Sequence, residues 1–85
     1  MSARADWAAA ALKDLARLDR KLRERVFQAV ERLAQSGYGD VRALHGSPGG
    51  ILRLRVGDWR VLFSRKDTGE LLVLRVRPRG DAYRP

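Results

Sequence analysis

Five arginines in the second half of the chain share one spacing and one chemistry. They lie in Ile51-Leu-Arg-Leu-Arg-Val-Gly-Asp-Trp-Arg-Val-Leu-Phe63 and Leu71-Leu-Val-Leu-Arg-Val-Arg-Pro-Arg79. Apolar residues take one parity there, and Arg53, Arg55, Arg60, Arg75 and Arg77 take the other. A guanidinium is a planar fork that meets two phosphate oxygens at once. It stays charged at any ordinary pH, so it can grip an anion but cannot serve as a base. Directly opposed like charges on paired strands cost a few tenths to about 1 kcal/mol each. A face built this way suits a polyanion. The plainer alternative is that long arginine stems cover apolar surface while their heads splay into water.

The elements that must carry this face follow from periodicity and turn chemistry. Residues 51–77 read as three antiparallel strands. Gly57-Asp58 forms a two-residue, glycine-first hairpin turn, and Lys66-Asp67-Thr68-Gly69 forms a second, longer one. The first turn pairs Val56 with Trp59, Leu54 with Val61 and Leu52 with Phe63. A four-residue second loop pairs Phe63 with Leu72, Val61 with Leu74 and Trp59 with Val76. Nine apolar residues then share one face, and Arg55, Arg60 and Arg75 stand side by side on the other, with Arg53 and Arg77 nearby.

Upstream, Ala8, Ala11, Leu12, Leu15 and Leu18, then Leu22, Val26, Ala29, Val30 and Leu33, keep a helical spacing across residues 8–36. Asp19 is suited to cap a second helix, which splits the stretch in two, and Gly37 to end it. One unbroken helix is the competing reading. Arg20, Arg23, Glu24, Glu31 and Arg32 read as a solvated face. Residues 37–50 hold five glycines and Pro48 and read as a loop anchored by Val41 and Leu44, with His45 on its surface. Residues 2–7 alternate weakly and are ambiguous between strand and coil. Trp7 and Trp59 read as core residues.

The totals narrow the function. Eighty-five residues with 45% hydrophobic content bound one domain, residues 1–85, with a modest core. The sequence has no apolar run of membrane-spanning length and no secretory leader pattern, so a cytoplasmic protein without a membrane partner is expected. Zero cysteines remove disulfides and thiolate chemistry, and a single histidine argues against a dedicated transition-metal site. Net charge is +8. Residues 1–50 hold nine basic and six acidic groups, and residues 51–85 nine and four, so the excess is concentrated where the arginines alternate. Basic balance of this kind points to nucleic acid, an anionic surface or an acidic protein.

Leu52-Arg-Leu-Arg-Val-Gly-Asp-Trp-Arg-Val-Leu-Phe63, Leu74-Arg-Val-Arg-Pro-Arg-Gly-Asp-Ala-Tyr-Arg84 and Ala11-Leu-Lys-Asp-Leu-Ala-Arg-Leu-Asp19 together resemble a RelE-type toxin of the RelE/ParE superfamily. The resemblance implies an α+β fold. In it a short first strand and an N-terminal helical hairpin pack with a small, curved, mainly antiparallel sheet. It also implies a ribosome-dependent mRNA endonuclease in the cytoplasm, held inactive by an antitoxin encoded beside it. Such an enzyme uses no metal and no cofactor: the RNA 2′-hydroxyl attacks the neighbouring phosphate. Operator DNA would be bound, if at all, only by the toxin–antitoxin complex.

Carried over position by position, Arg60 matches the central catalytic arginine and Arg77 the second transition-state arginine. Tyr83 matches the tyrosine that orients the reacting nucleotide. Arg53 and Arg55 match paired basic positions that are lysines in well-known members, and with Arg75 and Arg79 they form the expected RNA grip. Arginine in place of lysine leaves proton transfer to another group, such as Tyr83 or Asp81, or to the ribosome. Two other functions compete. One is a ParE-type toxin that poisons DNA gyrase by binding it, with no RNA chemistry. The other is a basic nucleic-acid-binding module or an inactive toxin homologue.

Overall fold

The computed structural model describes residues 4–43 and 50–78. Seven elements follow in chain order: β1 (Ala5–Trp7), α1 (Ala9–Ala16), α2 (Arg20–Ser36), β2 (Val41–Ala43), β3 (Leu52–Val56), β4 (Trp59–Arg65) and β5 (Leu71–Pro78). The five strands form one sheet in the order β1-β5-β4-β3-β2. Three of its pairings are antiparallel, and β1 joins β5 in parallel, so the sheet is mixed. No helix among the described residues is long and apolar enough to cross a membrane.

The helical stretch divides where Asp19 stands. Its extended backbone ends one segment, and its carboxylate accepts the Leu22 N–H at 2.8 Å, the N-terminal cap of α2. Gly37, at φ 75°, closes α2 in the left-handed conformation with its N–H on the Leu33 carbonyl. α2 buries Val26, Val30, Leu33 and Ala34, a stripe at helical spacing, against the sheet. α1 has only eight residues and no side-chain cap. That is shorter than the ~12–15 residues an isolated helix needs, so packing holds it. Its inward residues are Ala11 and Asp14, whereas Leu12 points to solvent.

The first hairpin has the register expected from its turn: Leu52↔Phe63, Leu54↔Val61, Arg55↔Arg60 and Val56↔Trp59. Gly57 carries the positive φ, 61°, that a glycine-first turn requires. The second hairpin departs from expectation twice. Its loop spans 66–70, closed by Lys66 N–H on the Glu70 carbonyl, so Arg65 pairs with Leu71 and the register slips by one. An irregularity at Leu62/Phe63 then slips it by one more, with Leu74 the extra residue on β5.

A one-residue slip turns side chains to the other face. Leu71 and Val73 therefore fill the core in place of the expected Leu72 and Leu74. The second slip restores parity, so Val76 stays inward, now opposite Val61. Two other expectations change. The stretch read as a continuous loop contains β2, which pairs Val41 with Leu54 and Ala43 with Leu52. Residues 5–7, ambiguous by propensity, form β1 because β5 offers an open edge: Leu71 N–H reaches the Arg4 carbonyl and Ala8 N–H the Val73 carbonyl.

Candidate functional site

The double slip decides which arginines stand together. Arg55, Arg60 and Arg77 occupy one cross-strand row on β3, β4 and β5. Arg77, and not the expected Arg75, is the third member. Directly opposed residues on antiparallel strands hold their Cβ atoms about 4.5–5.5 Å apart, so the three stems emerge as near neighbours. Arg53 lies in the next row, opposite Leu62 on one side and Arg42 of β2 on the other.

The β3–β4 turn gathers these charges. Arg60 is only 5% exposed, and its Nη1 donates to the carbonyls of Trp59 at 3.2 Å and Gly57 at 3.5 Å. Arg55 Nε donates to the same Gly57 carbonyl at 3.4 Å. These contacts are long for charge-assisted hydrogen bonds, which settle near 2.7–2.9 Å on an anionic oxygen.

Arg75 has a different partner. Its Nε and Nη2 fork onto Asp14 at 2.7 and 3.1 Å, and Asp14 Oδ2 also accepts the Val76 N–H at 2.9 Å. β1 covers β5 only as far as Val73. Beyond that point the carboxylate of Asp14 takes the place of a neighbouring strand. Burial pushes the Asp14 carboxyl up. The hydrogen bonds from Arg75 and Val76 N–H and the charges of Arg75 and Arg77 more than offset that and hold it below its ordinary value. Asp14 in turn raises the pKa of Arg75. Arg77 follows directly after the anchored Val76. A groove of about 260 Å³ beside it is lined by Asp14, Arg17, Trp59 and Arg77 among others.

The expected site residues thus separate. Arg55, Arg60 and Arg77 are brought together, Arg53 stands beside them, and Arg75 is committed to Asp14. Tyr83, Arg79, Asp81 and His45 lie outside the described residues. Two residues at the site escaped the sequence reading. Arg42 was hidden in a stretch read as loop. Asp14 had a signal: it falls within the Ala11–Leu18 apolar stripe, where a carboxylate needs a buried partner.

A family model described as the ParE toxin of type II toxin-antitoxin system, parDE, matches residues 5–83. The chain belongs to the RelE/ParE toxin superfamily. Solved structures agree in fold. The archaeal RelE–RelB complex from Pyrococcus horikoshii OT3 is 26% identical with a TM-score of 0.77, covering 94% of this chain and 98% of that one. The toxin–antitoxin complex RelBE2 from Mycobacterium tuberculosis is 22% identical with a TM-score of 0.80, covering 93% and 100%. The intact E. coli RelBE toxin–antitoxin complex is 21% identical with a TM-score of 0.67, covering 91% and 96%. No curated protein matches the sequence significantly.

Proposed function

We propose that this toxin is a ribosome-dependent mRNA endoribonuclease, acting in the cytoplasm and restrained by a cognate antitoxin encoded beside it. The observation that carries this reading is the row Arg55, Arg60 and Arg77 across three strands. In the reaction, the RNA 2′-oxygen loses its proton and bonds to the adjacent phosphorus. The bond from phosphorus to the 5′-oxygen breaks, and that oxygen takes up a proton. Between these events the phosphorus carries extra negative charge. Arg60 and Arg77 would meet that charge, and Arg53 and Arg55 would hold the flanking backbone. One well-placed donor of this kind is worth ~3 kcal/mol, about two orders of magnitude in rate.

Asp14 shares a groove with Arg77 but is a poor base, because hydrogen bonds from Arg75 and Val76 N–H lower its pKa and occupy both its oxygens. Proton transfer is therefore assigned to Tyr83, to Asp81 or to the ribosome. Arg75 acts as scaffold in this scheme, and Arg79 as a further phosphate contact.

A second reading, a ParE-type toxin that binds DNA gyrase, draws on the family model that matches and on the inward turn of Arg60 onto backbone carbonyls. One experiment separates the two. The chain is induced without antitoxin, and mRNA ends are mapped alongside markers of DNA damage. Cuts at ribosomal A-site codons, lost in Arg60→Ala, are expected. Intact mRNA with stalled replication would replace the ribonuclease with the gyrase reading.

A further inference from the structure

Gly57 is a meeting point for a third guanidinium, and this one comes from the helical layer. Arg25 of α2 lies over the glycine: a Cβ at position 57 would stand 3.3 Å from its Nη1 and Nη2 and 3.4 Å from its Cζ. The missing side chain is what admits the guanidinium there. Arg55 and Arg60 reach the same residue through its carbonyl. Beside Arg25 a groove of about 250 Å³ opens between α2 and the β3–β4 turn, lined by Arg25, Gln28, Arg32 and Arg55 together with Ala29, Val56 and Gly57. Arg25 and Arg32 are seven residues apart and Gln28 lies between them, so all three rise from one helix face. Among the described residues, no carboxylate forms an ion pair with Arg25, Arg32 or Arg55.

We infer that this groove is a second phosphate-binding site, which takes the sugar–phosphate backbone of an RNA strand running around the turn from the arginine row. The inference rests on reading that row as an RNA site. Three observations favour RNA over an acidic protein. Four of the seven lining residues, Arg25, Gln28, Arg32 and Arg55, are polar, whereas a protein helix laid into a groove would seek a mainly apolar floor. The three guanidiniums come from two elements and converge on one space, the geometry of a phosphate clamp. Arg55 belongs to both the groove and the row, so the two sites are continuous. Arg32, which the sequence placed on a solvated helix face, is with Arg25 part of the grip.

The test uses the full chain, released from its antitoxin, and a uridine oligonucleotide with every 2′-hydroxyl methylated so that it cannot be cut. Binding is followed by fluorescence anisotropy over a series of KCl concentrations. In Arg25→Gln/Arg32→Gln the slope of log affinity against log salt should shrink by about 1.4, roughly 0.7 for each phosphate of a single strand that is no longer neutralised. Arg65→Gln/Lys66→Gln, at the far end of β4, should leave the slope unchanged. An unaltered slope in the first variant, an equal loss in the second, or no binding by the wild type would overturn the site. So would weaker binding of the antitoxin in the first variant with RNA binding intact. The ribonuclease reading fails separately. A chain that binds through this groove yet leaves cellular mRNA whole keeps the site and loses the enzyme. A chain that cuts mRNA while the double variant keeps its full slope does the reverse.

Discussion

Asp14 and Arg75, sixty-one residues apart in sequence, form a two-pronged ion pair with Nε–Oδ2 at 2.7 Å and Nη2–Oδ1 at 3.1 Å. Since Asp14 Oδ2 also accepts the Val76 N–H, one carboxylate ties α1 to the open edge of β5. The carboxylate is buried, at 7% exposed, while the arginine keeps 42% of its side chain in water. The pair is therefore worth more for what it satisfies than for its Coulomb energy.

Removing the acceptor tests that argument. Asp14→Ala leaves the Val76 N–H and the Arg75 fork without their partner, and an unmet buried donor costs about 1–3 kcal/mol. Urea denaturation should show the loss as a lower midpoint at an unchanged slope. Asp14→Asn, which keeps an acceptor oxygen, should lose less. Equal midpoints for wild type and Asp14→Ala would mean that another group anchors β5.

Acid should expose the same carboxylate. In the folded chain its pKa is held below the ordinary carboxylate value. A depressed pKa adds stability that is complete above the unfolded value and disappears as pH falls through the folded one. The loss therefore falls on the acidic side of the ordinary carboxylate range. Asp14→Asn has no proton to take up, so the stability gap between wild type and this variant should stay flat at higher pH and close in that acidic window. Denaturation across a pH series measures the gap, and closure near neutrality would exclude Asp14 as its source.

The turn at Gly57 gives a backbone prediction. Its φ of 61° and the Arg25 guanidinium 3.3 Å from its Cβ position both resist a side chain. Left-handed backbone costs an L-residue about 1–2 kcal/mol. Gly57→Ala should lose that much stability by thermal or urea unfolding, and should also displace Arg25, weakening oligonucleotide binding. Gly50, at φ 70° with open space around it, should show the stability loss alone in Gly50→Ala.

Particular residues show how far the sequence could be read. Gly57-Asp58 is too short a turn to allow a second register, so β3 and β4 were legible to the residue. Asp19 and Gly37 suited the two helix ends, but one unbroken helix fitted the same spacing, and the Asp19 cap on Leu22 N–H decides for the division. β5 was ambiguous because Leu71 to Leu74 are all apolar: either parity satisfies the core, and only the five-residue loop and the extra Leu74 decide between them. β2 is strand because β3 offers an edge, a tertiary cause with no local signature in Val41-Arg42-Ala43. The arginine face was legible as chemistry but not as geometry, since its third member depends on that same loop and bulge.

This last point yields the sharpest functional prediction. Register places Arg77 opposite Arg60, while Arg75 faces Leu62 and is bound to Asp14. If the row is the reaction site, Arg77→Ala should lower the cleavage rate by about two orders of magnitude with little change in the denaturation midpoint. Arg75→Ala should do the reverse. It leaves the Asp14 carboxylate without its cation, so the midpoint falls, and activity measured well below that midpoint should drop far less than in Arg77→Ala. The check is cleavage of mRNA on purified ribosomes, with urea unfolding run on the same preparations. Had the strands paired without either slip, Arg75 would hold the catalytic place. A larger activity loss in Arg75→Ala than in Arg77→Ala would therefore overturn both the site and the register that builds it.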